Sequence, residues 1–201
     1  GDGDVYYMVS YDNGVTWDSG VEIAGSSTDY APAALAVNGS TVHVVWVEYD
    51  GSDYYIWYQN STDNGGSWGS TQRLIGPVVM ADDPSITCNS TFVSFIWEDG
   101  RDDGQFSNEI YIKNSTNSGG TWGVNTRLTD QSGDVDGPRI TMTEGKKYVV
   151  WWDDRHGNEE IYFKCSPDFT SVPEFPNLLM PVLAVPAIIF LYERIRKTSK
   201  N

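Results

Sequence analysis

Three eight-residue segments of this sequence align without gaps and recur about every fifty residues. They are SYDNGVTW at 10–17, STDNGGSW at 61–68 and STNSGGTW at 115–122, and a fourth begins as SPDF at 166 and then breaks off. The third position of each segment is Asp12, Asp63, Asn117 and Asp168, which gives periods of 51, 54 and 51 residues. We call these segments octets. A period of this length predicts a repeat fold, in which each unit covers its apolar faces only against its neighbours.

Other columns of the sequence keep the same phase as the octets. An apolar-aromatic pair precedes each octet, a proline opens each unit, and a tryptophan lies midway: Val5-Tyr6, Ile56-Trp57, Ile110-Tyr111 and Ile161-Tyr162; Pro32, Pro84 and Pro138; Trp46, Trp97 and Trp152. Within the unit 32–75 the apolar pattern divides into four segments, ALAV, HVVWV, YIWYQ and QRLI, bounded by Gly, Asn and Asp. This pattern predicts a four-stranded antiparallel meander, and four strands per period are typical of a β-propeller blade.

The octet falls between the third and fourth strands of each unit, where its residues suit a tight turn. A carboxylate accepts backbone N–H groups, Gly adopts positive φ, the hydroxyl bonds locally and Trp packs back between strands. The pattern Ser-x-Asp-x-Gly-x-Thr-Trp resembles the Asp-box, or BNR repeat, of sialidases and related propellers. The residues that carry the resemblance are Ser10, Asp12, Gly14, Thr16, Trp17, Ser61, Asp63, Gly65, Ser67, Trp68, Ser115, Asn117, Gly119, Thr121, Trp122 and Asp168. The resemblance implies an all-β, partial sialidase-like β-propeller over residues 1–170, incomplete at about three and a half blades, and gives the octets an architectural role.

The C-terminal segment, 171–201, has a different composition. It holds VPEFP at 172–176, then LLMPVLAVPAIIFLY at 178–192, then the basic end ERIRKTSK. This order resembles the Pro-Glu-Phe C-terminal sorting signals of archaeal surface proteins. It implies export, a transmembrane helix with a cytoplasmic basic end, and recognition by a sortase-like membrane enzyme, and it places the blades at the cell surface. The alternative is an apolar helix docked on the blades.

Charge limits the partners that we expect for the blades. Before Val172 there are 26 acidic and 9 basic residues, a net of −17. Such a surface repels the phosphate backbone of nucleic acids, which are therefore excluded as partners. The acids that fall in loops could hold Ca²⁺ or could be a solvated surface, and the second interpretation is favoured; no other cofactor is predicted. The two cysteines, Cys88 and Cys165, fit no metal-ligand pattern.

Loops at the blade end opposite the octets are expected to carry any ligand site, because loops on a rigid scaffold commonly do. The candidates there are Arg101, Arg155, Asp99 and Asp154, which belong to the repeat-related segments WEDGR and WDDR. The repetition favours structural salt bridges for the two arginines. Arg139 is the weak candidate for catalysis or anion binding, since Ala33 and Ser85 occupy its column.

The family resemblance also implies a possible chemistry. Sialidases clamp the substrate carboxylate with three arginines and use a Tyr assisted by Glu, with an Asp as acid/base. No Tyr/Glu pair stands out in this sequence, and an acidic face receives an anionic sugar poorly. The prediction is a non-catalytic module that binds a glycan or a surface protein. The alternative is an exo-α-sialidase-type glycoside hydrolase with part of its active site on blades upstream of Gly1.

Overall fold

Thirteen β-strands build the computed structural model, which describes residues 4–24, 29–102, 108–130 and 133–166. They are β1 Val5–Tyr7, β2 Val21–Ala24, β3 Asp29–Asn38, β4 Thr41–Tyr49, β5 Tyr54–Ser61, β6 Gln72–Val78, β7 Ala81–Cys88, β8 Val93–Asp99, β9 Glu109–Ser115, β10 Thr126–Arg127, β11 Val135–Thr143, β12 Lys146–Asp153 and β13 Glu160–Ser166. No helix within the described ranges is long and apolar enough to cross a membrane. The predicted sorting signal, its transmembrane helix and Asp168 lie outside those ranges.

The strands form four antiparallel sheets in chain order. Sheet 1 is β1-β2, sheet 2 is β3-β4-β5-β6, sheet 3 is β7-β8-β9-β10, and sheet 4 is β11-β12-β13. Sheets 2 and 3 are complete four-stranded meanders, so the prediction of four-stranded antiparallel blades is confirmed. The first strands of neighbouring sheets contact each other, β3 with β7 and β7 with β11. Consecutive sheets therefore converge on their first strands, as blades converge on the centre of a propeller.

Each first strand carries a β-bulge at the proline that opens the repeat. The register shifts between Tyr30 and Ala33 in β3, between Asp82 and Ser85 in β7, and between Asp136 and Arg139 in β11. Proline cannot donate a ladder hydrogen bond, so a bulge accommodates it. The residue before the proline has positive φ in both later bulges, 44° at Asp83 and 61° at Gly137.

The octets form tight turns with one shared hydrogen-bond pattern. In the first, the Ser10 hydroxyl accepts the N–H of Gly14 at 2.8 Å, and Asp12 accepts both the N–H and the hydroxyl of Thr16, at 2.8 and 2.6 Å. The second octet repeats these contacts around Asp63. In the third, the Asn117 amide donates to the Thr121 hydroxyl at 3.0 Å. The amide thus reverses the direction of one bond and keeps the turn.

Packing between sheets depends on the glycine of the octet. A Cβ at Gly65 would lie 2.7 Å from Cδ1 of Tyr7 in sheet 1, and one at Gly119 would lie 2.6 Å from Cζ of Tyr58 in sheet 2. Each tyrosine also meets the octet tryptophan edge-on, with ring centroids 5.2 Å apart for Tyr7 and Trp68. The corresponding distance for Tyr58 and Trp122 is 5.0 Å. We call this contact, from the strand that precedes an octet in one sheet (β1 or β5) to the octet of the next sheet, the aromatic lock.

The predicted tryptophan column is wrong by one residue in sheet 4. Trp97 and Trp151 both donate their indole N–H to an aspartate two residues on, Asp99 and Asp153, and both pack onto the preceding sheet. Trp151, not Trp152, is therefore the equivalent of Trp46 and Trp97. The error arose because two adjacent tryptophans leave the strand register undetermined, and a slip of one residue exchanges the two faces of a strand.

Candidate functional site

The octet turns and the loops between second and third strands lie at opposite ends of the sheets. The N–H of Asn64, in the second octet, donates to the carbonyl of Ser40 in the β3–β4 turn at 2.8 Å. Ser118, in the third octet, donates likewise to Thr91 in the β7–β8 turn at 2.7 Å. The β4–β5, β8–β9 and β12–β13 loops and the connections between sheets therefore share the other end. We call that end the loop face.

Arg101 and Asp99 form a closed pair on the loop face. The Asp99 carboxylate accepts the Arg101 Nε–H at 2.8 Å, its backbone N–H at 3.0 Å and the indole N–H of Trp97 at 2.7 Å. Asp99 is fully buried, and the guanidinium lies over the ring of Tyr111, 4.7 Å from its centroid. A bidentate pair of this kind fixes the arginine in place. Arg101 is thereby oriented toward the protein and not toward a ligand.

Sheet 4 repeats this arrangement with Arg155. Its Nε–H donates to Asp153 at 2.9 Å, its second guanidinium nitrogen also contacts that carboxylate, and its guanidinium lies 4.2 Å from the ring centroid of Tyr162. Burial alone would raise the pKa of Asp153, but hydrogen bonds from Arg155 outweigh it and lower that pKa. The partner of Arg155 is therefore Asp153. The sequence-predicted Asp154 is exposed and instead accepts the N–H of Asp134 at 2.8 Å.

Three carboxyl groups meet where sheets 3 and 4 join on the loop face. Asp83 and Asp136 come from the bulges of β7 and β11, and Glu98 comes from the end of β8. Their nearest oxygen atoms all lie within 4.8 Å of one another. We call these residues the carboxyl cluster. Glu98 accepts the N–H of Gly137 at 2.7 Å, which links the two sheets.

Glu98 departs from the apolar pattern of its column. It pairs with Ile110 across the ladder, and its equivalents are Val47 in sheet 2 and Trp152 in sheet 4. Its exposure is 4%, and burial, followed by the nearby Asp136, raises its pKa to about 9. At neutral pH Glu98 is therefore a carboxylic acid beside the carboxyl groups of Asp83 and Asp136. A proton on one member of such a cluster relieves like-charge repulsion.

Sequence reasoning missed Glu98. Aligning Trp97 with Trp152, as the sequence pattern suggests, places Glu98 in the loop that follows β8. With Trp97 aligned to Trp151, Glu98 falls in a column of apolar residues that face the next sheet. A charged residue type at a buried, repeat-defined apolar position is the signal that identifies it.

Arg139 lies beside the carboxyl cluster, at the first strand of sheet 4. Its side chain is 60% exposed, one guanidinium nitrogen donates to the carbonyl of Pro138 at 2.8 Å, and the same nitrogen lies 3.6 Å from a carboxylate oxygen of Asp83. This contact is a loose surface pair, in contrast to the bidentate pairs of Arg101 and Arg155. Arg139 is thus the loop-face arginine, among the described residues, that presents most of its donors to solvent.

A tyrosine-glutamate pair is present in sheet 4, although the sequence did not single it out. The Tyr162 hydroxyl lies 2.8 Å from Nδ1 of His156 and donates to Glu160 at 3.2 Å. Burial and Glu160 act to raise the pKa of Tyr162, and Arg155 only partly offsets them. An activated phenol nucleophile needs a lowered pKa. This pair also lies on a third strand, away from the first strands where Arg139 is placed.

The loop acids proposed for Ca²⁺ converge at one place in the described part of the chain, the carboxyl cluster. Ca²⁺ takes about six to eight oxygen ligands, and three carboxyl groups alone fall short of that number. The other described loop acids, Asp82, Asp99, Asp102, Asp134, Asp153 and Asp154, are not part of this cluster. Asp103 lies outside the described residues.

Comparison with known proteins identifies the fold. No protein-family model and no curated protein sequence matches this chain. Solved structures do match. An α-L-arabinanase of Penicillium chrysogenum, complexed with arabinobiose, shares 18% identity at a TM-score of 0.59, covering 84% of this chain and 57% of the other.

Two further structures agree. A mutant α-L-arabinofuranosidase from Fusarium graminearum shares 16% identity at a TM-score of 0.61, over 82% of this chain and 55% of the other. A Trypanosoma rangeli sialidase in complex with the inhibitor DANA shares 18% identity at a TM-score of 0.57, over 83% of this chain and 32% of the other. The chain thus spans a little over half the length of the arabinose-related enzymes and about a third of the sialidase. At these identities the likeness shows a sialidase-like β-propeller fold.

Proposed function

We propose that this chain is part of a cell-surface propeller module that binds a neutral glycan at the junction of sheets 3 and 4. The observation that carries the proposal is Arg139, an exposed arginine without a counterpart in the repeat, placed beside the carboxyl cluster. Guanidinium donors and carboxylate acceptors together match the hydroxyl groups of a sugar, each of which both donates and accepts. The C-terminal segment 171–201, proposed as a sorting signal of the Pro-Glu-Phe type, would hold the module at the membrane.

The arrangement of the arginines argues against an anionic ligand. Arg101 and Arg155 are each occupied by a buried carboxylate, so neither is available to clamp a substrate carboxylate. Acids outnumber arginines around Arg139, which disfavours an anionic sugar electrostatically. The octets that resemble Asp-boxes lie at the opposite end of the sheets and support the architecture of the module.

The binding proposal is tested by calorimetry or glycan-array binding of the full chain against neutral and sialylated oligosaccharides. Arg139→Ala should abolish neutral-glycan binding. Lys146→Ala changes an exposed basic residue at the start of β12, at the octet end, and should leave binding unchanged. Equal binding by both variants, or a preference for sialylated glycans, would contradict the proposal.

A glycoside hydrolase is the second candidate, because one observation favours it. Burial raises the pKa of Glu98 to about 9, and a carboxyl oxygen of Glu98 lies within 4.8 Å of one of Asp136; glycoside hydrolases use a pair of carboxyl groups, of which the general acid has a raised pKa. The burial of Glu98 opposes this role, since a general acid must reach the glycosidic oxygen. Release of 4-methylumbelliferone from its arabinofuranoside or sialoside, lost in Glu98→Gln, would establish hydrolysis over binding alone.

A further inference from the structure

Four Asn-x-Ser/Thr triplets lie at the octet end of the sheets, opposite the loop face. A triplet of this kind is the acceptor sequence for N-linked glycans. Two of them begin where the first strand of a sheet ends, and two begin one residue before the end of a third strand: Asn38 and Asn89, and Asn60 and Asn114. The triplets are alike in sequence, but the fold gives each asparagine a different environment.

The two triplets on third strands are fixed within their sheets. Asn60 and Asn114 are half-buried, and the backbone carbonyl of each accepts the N–H of the glycine that follows the octet, at 2.8 Å. The side-chain oxygen of Asn114 also accepts the hydroxyl of Ser94 and the ammonium group of Lys147, each at 2.7 Å. Asn60 pairs with His43 in the ladder. Backbone that is held in this way cannot enter the cleft of a modifying enzyme while the chain is folded.

The amide group of Asn89 is engaged on both sides. Its side-chain oxygen accepts the N–H groups of Thr91 and Phe92, at 2.9 and 2.8 Å. Its Nδ2 donates to Sδ of Met142 in sheet 4, at 3.4 Å. Nδ2 is the atom to which an N-linked sugar is attached, and here it is directed at the neighbouring sheet. Asn89 is therefore also a poor acceptor in the folded chain.

Asn38 differs from the other three asparagines in being exposed and free. It is the last residue of β3 and pairs with Thr41 across the two-residue turn Gly39-Ser40. Within the ranges that the structure describes, its side-chain amide has no hydrogen-bond partner. Ser40, which supplies the hydroxyl of the triplet, is exposed as well. Nδ2 of Asn38 and the hydroxyl that accompanies it are thus both accessible on the tip of a turn.

The fold tolerates a large substituent at this position. Thr143 pairs with Lys146 across the β11–β12 turn as Asn38 pairs with Thr41, so the turn does not require an asparagine. A Cβ built on Gly39 would meet no described atom within 4 Å, which shows that the turn is open to solvent. The loop face is at the other end of the sheets, so a glycan on this turn leaves Arg139 and the carboxyl cluster uncovered.

We propose that Asn38 is the site at which this module carries an N-linked glycan. The proposal rests on the cell-surface location proposed above, because such glycans are attached to exported chains. The donor is an oligosaccharide linked through a phosphate to a polyprenyl lipid. In the transfer, the bond between the anomeric carbon of its first sugar and the phosphate oxygen breaks. Nδ2 of Asn38 bonds to that carbon and loses one proton, and the lipid phosphate leaves.

The test offers the purified full chain to a single-subunit oligosaccharyltransferase with its lipid-linked oligosaccharide, followed by peptide mapping with mass spectrometry. A heated digest of the same chain is the unfolded reference. Cleavage after glutamate gives the fragments 23–48, 49–98 and 110–144, which keep all four triplets whole. In the folded chain, occupancy at Asn38 should be at least tenfold higher than at Asn60, Asn89 or Asn114. In the digest this preference should be lost.

Variants of the triplet separate modification from exposure alone. Ser40→Ala should abolish modification of Asn38, and Ser40→Thr should preserve it, because the enzyme requires the hydroxyl of the triplet. Thr62→Ala removes an equally exposed hydroxyl from the triplet of Asn60 and is the matched control, which should leave Asn38 modified.

Three results would overturn the proposal. They are a folded chain that stays unmodified at Asn38, modification of Asn38 that survives Ser40→Ala, and occupancy at Asn60 or Asn114 equal to that at Asn38 in the folded chain. The assay supplies both enzyme and donor, so these results do not depend on export. A failure of the proposed cell-surface location is measured separately, by fractionation of the producing cells.

Discussion

Replacing the octet glycine by alanine tests the aromatic lock quantitatively. The chain contains an octet glycine that faces a tyrosine ring, Gly119, and one with no described atom within 4 Å of its Cβ position, Gly14. Gly119 has φ +84° and Gly14 has φ +86°, so a Cβ meets the same backbone strain at either position. At Gly119 it also overlaps the Tyr58 ring, and at Gly14 it meets nothing within 4 Å. Gly119→Ala and Gly14→Ala therefore differ in packing alone.

The expected magnitudes follow from these two contributions. An alanine forced into the left-handed region costs about 1–2 kcal/mol. Overpacking a buried contact costs about 1–3 kcal/mol more, and Tyr58 is fully buried and hydrogen-bonded to His43 at 2.7 Å, so that it has little room to move. We expect a loss of about 1–2 kcal/mol for Gly14→Ala and about 2–5 kcal/mol for Gly119→Ala.

Urea denaturation followed by tryptophan fluorescence measures both values, and thermal unfolding provides a second measurement. A difference of about 2 kcal/mol corresponds to roughly 4–8 °C in melting temperature for a chain of this size. Gly65→Ala, which meets Tyr7, should behave like Gly119→Ala. Equal destabilisation by Gly14→Ala and Gly119→Ala would show that the glycine serves the turn alone and would refute the lock.

Three further predictions concern the carboxylates. Hydrogen bonds from the Ser67 hydroxyl and N–H lower the pKa of Asp63 to about 2 from 3.8, so its stabilisation is present above about pH 4 and is lost as pH falls toward 2. Asp63→Asn should flatten the acid limb of melting temperature against pH, and an unchanged limb would contradict this. The pH dependence of stability has the opposite sign for Glu98. Its pKa is raised to about 9 from 4.5, so its contribution to the free energy of unfolding is complete below pH 4.5 and is lost as pH rises through 9. Glu98→Gln should therefore gain melting temperature relative to wild type between pH 5 and 9, and parallel profiles would argue against a neutral Glu98. Asp99→Ala should destabilise by about 3 kcal/mol in urea because it leaves Arg101 and the Trp97 indole without their acceptor, whereas a loss below about 1 kcal/mol would mean that water replaces the carboxylate.

The strands and the octets could be predicted from the sequence because their signals are local. A segment such as HVVWV, bounded by Gly and Asn, specifies a strand, and the Asp12-to-Thr16 spacing specifies a turn. The same locality explains why Arg101 and Arg155 could be assigned to loop pairs from their spacing to nearby acids. No information from distant parts of the chain is needed for these predictions.

The candidate site could not be predicted in the same way, because it depends on register between sheets. Whether Trp151 or Trp152 faces sheet 3 is decided by packing of β12 onto Ile110 in β9 and Ile140 in β11. The carboxyl cluster joins residues 83, 98 and 136, and their convergence depends on two bulges and on the approach of β7 to β11. Arg139 could be predicted because the sequence shows no arginine at the equivalent positions, Ala33 and Ser85. Glu98 could be recognised only after Trp97 is aligned with Trp151, which places Glu98 among apolar residues.

The aromatic lock has a consequence for how such a chain can change by duplication or mutation. Its two halves lie more than fifty residues apart, and in the last repeat both are missing together. Ile112 replaces the tyrosine, and the octet that would receive it, at 166–173, has Thr170 and Pro173 in place of glycine and tryptophan. A bulky fifth residue is tolerable only where no ring must enter, so the side chain of one half limits the residues that the other half can hold. The unit of packing in this array therefore runs from the third strand of one repeat to the octet of the next, across the boundary between two blades.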